Sequence, residues 1–466
     1  MRYTIYSILA VTVLMSSTAG TQQVLSATTV KSSIPATATT ATTGSVGFLP
    51  AVFSLLLNTT VDTEIVAEGY NLFAPLSDTT TYLMDNDGNT VHTWASSYTP
   101  GHAVYLLENG QLLHTGKADN TTFEGGGAGG IVETIDWDGT VTWEYSYSSS
   151  EHLQHHDTVM LPSGNFLLIA WQYKTRTEAL DAGRNPSLLT EAKLWPDSVI
   201  EVEPTGVTTG NIVWEWHVWD HLIQDYDATK DNYGTVADHP ELVDLNYVQN
   251  GTADWTHINA IKYSEDFDQI LVSVRNLSEI WVIDHSTTTA EAAGHSGGNS
   301  GKGGDLLYRW GNPAVYGAGD STDQQLFVQH DAEWIEAGSP GEGNILIFNN
   351  GTGRSDGDYS SIVEIEPPVD ASGNYTLASG ESYGPSAPTW TYTAATPTDF
   401  YANRISGQQR QSNGNTLICN GPDGYFFEVN SNGETVWEYD YGNRVFRVER
   451  YPFAYSGFDG TDLDDE

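Results

Sequence analysis

Four histidines stand at equivalent places ahead of a recurring turn-and-strand unit. His102 precedes Gly110 by eight residues and His156 precedes Gly164 by eight, while His257 precedes Asp268 by eleven and His330 precedes Gly343 by thirteen. If the repeats are arranged around an axis, residues in one register of successive repeats converge, so these imidazoles are expected to face a common channel. Arg275 ends the apolar run Leu271-Val-Ser-Val-Arg, where a guanidinium calls for an anion or a carboxylate partner. Asn259, two residues past His257, is expected on the same side of its strand. Several imidazoles, one guanidinium and an amide suit a tetrahedral oxyanion such as sulfate or phosphate. Two competing readings stay open. One is a metal-dependent lyase or hydrolase, because neutral imidazole is a common metal ligand; Arg275 argues against it. The other is a non-catalytic secreted binding propeller. The remaining histidines (His92, His114, His152, His217, His221, His239, His285 and His295) fall in outer hairpins or polar loops and are assigned structural or solvated roles.

The elements that must carry these residues are repetitive. A strand, a turn and an aromatic strand recur as Tyr82 to Trp94, Ile135 to Tyr145 and Phe427 to Tyr439, with Asp-Gly or Asn-Gly at the turn. Looser copies run from Ile200 to Trp216, Ile280 to Trp310 and Ile362 to Tyr392. Between them lies the second unit, a turn leading into an apolar strand: Gly110 to His114, Gly164 to Leu168, Asp268 to Val272, Gly343 to Ile347 and Gly414 to Ile418. Six hairpins interleaved with five such strands predict an all-β, six-bladed propeller. The first hairpin lacks partners, and the stretch Arg444 to Tyr455 is free to supply them and close the ring.

The expected organisation is a signal peptide over 1–23, a low-complexity tether over 24–45 and a short N-terminal segment over 46–80. The propeller is expected over 81–458 and a solvated acidic tail over 459–466. Arg2, the apolar stretch Tyr3 to Met15 and the small residues that follow have the layout of a secretory signal, so a periplasmic or extracellular protein is expected. The run is short for a membrane span, although an uncleaved anchor fits it as well. No role is assigned to the apolar patch 46–57. The chain has 18 Lys+Arg against 61 Asp+Glu, a net charge of −43, and no basic run, which excludes nucleic acid as a partner. The one cysteine, Cys419, excludes an internal disulfide and reads as a buried thiol. The run Gly125 to Gly130 lacks the Lys-Ser/Thr of a phosphate loop and reads as a flexible loop. Sequons at Asn58, Asn120, Asn250, Asn276, Asn350 and Asn374 are about as many as chance gives.

At the chemical residues the chain resembles the arylsulfotransferase family. The stretches that carry the resemblance are His155-His-Asp-Thr-Val-Met-Leu-Pro-Ser-Gly-Asn165, Asp254-Trp-Thr-His-Ile-Asn259, Ser273-Val-Arg-Asn-Leu-Ser278, Gln329-His-Asp-Ala332, Gln409 to Leu417 and Arg447 to Pro452. The resemblance implies an exported six-bladed propeller that moves a sulfuryl group from an aryl sulfate ester to a phenolic acceptor, without nucleotide cofactor or metal. By position it implies His330 as the sulfated nucleophile, with His257 and Arg275 on the sulfuryl oxygens. His156 then falls on the remaining active-site position and Asn259 on a further binding position; His155, and His102 by its register, are also assigned to substrate binding. His155 and His156 are rival candidates for the channel-facing place, with His156 preferred on spacing. Enterobacterial members have an N-terminal dimerisation domain and a disulfide near the site; a chain with a single Cys cannot form the latter.

Overall fold

A computed structural model describes residues 65–247 and 252–464; the expected signal peptide, tether and 46–57 patch lie outside them. The described residues of the unit Thr60–Glu466 are organised mainly by antiparallel strands. Local chemistry sets the hairpins. In the first, the Asp85 carboxylate accepts from the backbone N–H of Asp87 at 3.0 Å and of Asn89 at 2.8 Å, while Gly88 takes the left-handed φ of +88° that the turn needs. Asn430 plays the Asp85 part in the last hairpin, accepting from Glu434 N at 3.0 Å ahead of Gly433 at φ +79°.

Four sheets hold four strands each. The remaining long strands form one eight-stranded sheet, so the described fold shows four discrete blades and not the six expected. The physical reason is a single parallel pair, His102 with His156, which joins two antiparallel quartets edge to edge. The strands Pro100–Leu106, His152–Met160, Ile258–Ser264, His330–Trp334, Gly407–Arg410 and Val445–Tyr451 each contact the next, and the last contacts the first. Between the sheets lie apolar layers; one contains Leu167, Val199, Ile261, Val272 and Trp281, all fully buried. Burying each such side chain contributes about 1.5–3 kcal/mol. Cys419 lies in the strand Thr416–Asn420, buried as expected.

Closure by the C-terminal stretch is observed, with a difference in detail. Val445–Tyr451 pairs with Tyr70–Pro75, and that strand pairs with Thr80–Met84. The sheet therefore begins ahead of residue 81, inside the segment expected to precede it. Arg450 fastens the join: it donates to Asn71 Oδ1 at 2.8 Å and to the Ala67 carbonyl at 3.1 Å, and is paired with Glu428. The acidic tail is also not free. Leu463 and Phe458 are buried against Leu106, and Asp462 accepts from Trp137 Nε1 at 3.1 Å. Apolar residues interleaved with the acids dock it through residue 464.

At the centre, Arg447 Nη1 lies 3.2 Å from Asp157 Oδ2 and 2.9 Å from Asp331 Oδ1, and donates to the Tyr105 hydroxyl at 2.6 Å. Asp157 also accepts from Ile261 N, and Asp331 from Gln408 N, each at 3.1 Å. One buried ion network thus touches all six inner strands. Replacing Arg447 with Met should leave two buried carboxylates without their cation, at a cost of about 3–5 kcal/mol. Urea unfolding of Arg447→Met should show a midpoint lowered accordingly, and a wild-type midpoint would refute the central role of this pair.

Candidate active site

The inner strands do not run straight past the centre. Register shifts interrupt their pairing between Pro100 and Val104, Gln154 and Thr158, Ile258 and Ala260, and His330 and Ala332. At or beside these shifts the backbone turns left-handed, with φ of +121° at His102, +52° at His156, +56° at His257 and +51° at Asp331. A bulge inserts an unpaired residue and re-aims its side chain, which is how four strands present a histidine to one space. Each such non-glycine conformation costs on the order of 1–3 kcal/mol and persists because the surroundings hold it.

His102, His156, His257, Arg275 and His330 line one cavity of about 550 Å³. Lys117, Arg404 and Arg444, which are exposed at its rim, line it too. These three and Arg275 are four of the chain's 18 bases. Asp254 is the one carboxylate on the wall, and its Oδ2 is 2.5 Å from His257 Nδ1. Burial works against its charge, but His257, with smaller help from Arg275, holds it below the usual carboxylate range. The cavity is thus locally basic inside a strongly acidic protein.

His155 and His156 divide their work. His155 is fully buried, stacked on Trp171 at 4.0 Å, and does not line the cavity, which corrects its expected contact with substrate. Its Nε2 is 2.7 Å from Asp197 Oδ1 and its Nδ1 is 2.8 Å from His156 Nδ1. A carboxylate only accepts, so His155 carries its proton on Nε2 and its Nδ1 accepts from His156 Nδ1–H. Nε2 of His156 is then the bare nitrogen. Gly127 covers this ring: its φ is +85°, its carbonyl accepts from His156 N at 2.8 Å, and a Cβ there would come within 1.9 Å of Cε1. The glycine run is a fitted cover over His156, not the loose loop expected, and glycine is needed for backbone to approach so closely.

Arg275 Nη1 donates to Asn276 Oδ1 at 2.8 Å, and Asn276 Nδ2 donates to the Asp254 carbonyl at 2.7 Å. Asn259 does not reach the cavity; it is fully buried and donates to the Gln329 carbonyl at 2.8 Å. Strand alternation fails there because His257 precedes the strand Ile258–Ser264 in a left-handed turn. Asn276 supplies the wall amide in its place. His330 Nδ1 is 2.7 Å from Asn350 Oδ1. Asn350 Nδ2 donates to the carbonyls of Ala402 and Ile405, at 2.7 and 3.0 Å, so its oxygen must face the imidazole and His330 must be protonated on Nδ1. The lone pair of Nε2 meets only the Ile405 N–H, at 3.2 Å. Asn276 and Asn350, both buried sequons, are closed to glycans.

Burial, joined by the charge of His257, pushes the His156 imidazole well below its ordinary value; burial and Arg275 do the same to His330. Burial takes His102 down to about 4. At neutral pH the rings of His102, His156 and His330 are therefore neutral, and Arg275 is the cation beside them. Sequence reasoning missed Asp254, Asn276, Asn350, Lys117, Arg404 and Arg444. Only the spacing of Asp254, three before His257, could have flagged one of them.

The fold is all-β and propeller-like, and histidines and bases converge on one cavity whose lining has the chemistry to suit an anion. The chain belongs to the arylsulfotransferase (ASST) family, whose model matches residues 62–450. Membership supports aryl sulfotransferase activity in general, with small-molecule aryl sulfate and phenol substrates. No curated protein sequence matches the chain. Among solved structures, a protein of unknown function from Bacteroides caccae is 12% identical with a TM-score of 0.43, covering 82% of this chain and 98% of its own. Virginiamycin B lyase from Staphylococcus aureus is 10% identical with a TM-score of 0.37, covering 84% of this chain and 86% of its own. Likenesses this loose carry no argument.

The tautomers can be read directly. In ¹⁵N-histidine spectra at pH 7, His156 and His330 should both be neutral, with Nδ1 protonated and Nε2 bare. They should stay so on acidification to pH 6, because their folded values lie below the ordinary 6.5. A doubly protonated His330 at pH 7 would contradict the geometry.

Proposed function

We propose that the protein is an exported sulfotransferase that moves a sulfuryl group from an aryl sulfate ester to a phenolic acceptor through a sulfo-histidine on His330. The observation that carries the reading is the bare Nε2 of a neutral His330 in a cavity walled by four of the chain's 18 bases. In the first step the Nε2 lone pair attacks sulfur, the sulfur–aryl oxygen bond breaks, and the phenoxide leaves with the electron pair. The ring keeps its Nδ1 proton on Asn350, so the sulfo-imidazolium is cationic and a good leaving group. In the second step the acceptor oxygen attacks sulfur, the N–S bond breaks, and Nε2 regains its lone pair. His156, with its own bare Nε2, takes the acceptor's proton.

Arg275 and His257 hold the sulfuryl oxygens in this reading, with Asp254 orienting His257. By analogy with phosphoryl transfer, negative charge rests on the non-bridging oxygens in the transition state, where a fixed guanidinium is most effective. His102 packs against His156, at 5.1 Å between ring centroids, and bounds the donor subsite. Four cations on the wall disfavour a metal ion among the channel histidines, which weakens the lyase or hydrolase reading. The finer architecture belongs here too. Counting each antiparallel quartet as a blade, the ring has six, closed by Val445–Tyr451. The apolar N-terminal stretch supports export, which N-terminal sequencing of the secreted protein would test.

Incubation with an aryl sulfate and no acceptor should add one sulfuryl mass, mapped under alkaline conditions to His330 and absent from His330→Ala. Label on His156 or His257 would reassign the nucleophile. Arg275→Lys keeps the charge but loses the planar fork. Its turnover should fall about 10²–10³-fold with little change in melting temperature. A stability loss with wild-type turnover would return Arg275 to a structural role.

A further inference from the structure

A second histidine cluster lies on segments that do not line the cavity. His221 follows the strand Thr209–His217, and His295 and Asp305 sit in the glycine-rich excursion between Glu279–Asp284 and Tyr308–Trp310. Nδ1 of His221 is 2.9 Å, and Nδ1 of His295 2.7 Å, from the same oxygen, Asp305 Oδ1. On its other side His221 Nε2 is 2.8 Å from the Ala292 carbonyl. A carbonyl only accepts, so the His221 proton sits on Nε2 and, in the neutral ring, Nδ1 turns a lone pair toward the carboxylate. A second imidazole nitrogen aims at that same oxygen. Two imidazole nitrogens and a carboxylate oxygen meet at this point, and a positive charge there, a proton or a metal ion, would satisfy all three.

We propose that this charge is a divalent cation of the zinc class, bound by His221 Nδ1, His295 Nδ1 and the Asp305 carboxylate. These three donor atoms lie within 4.8 Å of one another. Two imidazoles and a carboxylate suit zinc and disfavour magnesium or calcium, which prefer all-oxygen shells. The His221–Ala292 contact is the outer partner that metal-ligating imidazoles use to fix tautomer and ring orientation. His221 and Asp305 are buried, at 0% and 8% side-chain exposure, while His295 is 63% exposed. The site is therefore anchored on one side and open on the other, with room for water as a fourth ligand. Trp216 supports it by stacking on His221 and donating to the Gly304 carbonyl at 2.7 Å. The role this assigns is structural: the ion staples the excursion, with its glycines at 297, 298, 301, 303 and 304, to the segment behind the neighbouring sheet.

The test uses the full-length protein, stripped with EDTA and titrated calorimetrically with zinc chloride at pH 7.5. One high-affinity equivalent is expected, with a melting temperature raised by zinc and not by magnesium. His295→Ala removes an exposed ligand, so the protein should fold. Its zinc affinity should drop by at least about 10²-fold and its melting temperature should no longer respond to zinc. His156→Ala, which alters the channel, should bind zinc as the wild type does. Absence of zinc binding by the wild type would overturn the proposal. So would binding that survives His295→Ala, or binding that is lost in His156→Ala.

Discussion

The structure depends on a single guanidinium placed where the chain closes on itself. Arg447 lies on the last inner strand, and its two carboxylate partners, Asp157 and Asp331, immediately follow His156 and His330. The ion network is therefore both the closure of the sheets and the backing of the site. Three charges taken out of water are individually unfavourable, and backbone N–H groups of Ile261 and Gln408, with the Tyr105 hydroxyl, offset part of that cost by donating to the carboxylates. That requirement brings every inner strand to one depth, since each must offer a donor or an ion at the same place.

The bulges follow from this. A regular strand would point alternate side chains toward the centre and pair all of its backbone. Here the backbone leaves register and turns left-handed beside each buried carboxylate, at His156 before Asp157 and at Asp331 itself after His330, so the histidine faces the cavity while the acid faces Arg447. Strain at the cavity wall and saturation behind it are two sides of one arrangement. The outer partners then fix the chemistry. Asp197 through His155, and Asn350 directly, each force a proton onto Nδ1 of a cavity histidine and leave Nε2 unprotonated. Neutral rings result because burial disfavours the imidazolium, joined by His257 at His156 and by Arg275 at His330.

Periodicity made the outer parts of the fold legible. Each hairpin read from Asp-Gly or Asn-Gly became the outer strand pair of a sheet, and each Gly-x-apolar run became its second strand, because both signals are local. Tyr70–Pro75 has a local partner in Thr80–Met84, but no Asp-Gly or Asn-Gly turn joins the two, and its other partner lies some 375 residues away. Four of the cavity histidines were found by register alone. Asn259 was misplaced by the same rule, since alternation holds only within an unbroken strand. Lys117 ends the strand Leu112–Lys117 while Arg404 and Arg444 lie in two separate loops, and only closure of the ring brings them to one rim. Asn350 is visible only as the hydrogen-bond partner of His330.

The acidic surface and the basic cavity pose one electrostatic problem, since an anionic ester must approach a chain of net charge −43. Over distance the acids dominate, but their reach is set by salt: the screening length is about 8 Å at physiological ionic strength and about 3 Å at 1 M. Arg275 is half-buried in the cavity wall, so its field is screened less than that of the exposed surface acids. The two terms therefore separate by range. The exterior keeps the protein soluble, and its repulsion fades within a few ångströms in salty water. The four bases act on a ligand that has entered, and they outnumber Asp254, the one carboxylate among the described lining residues.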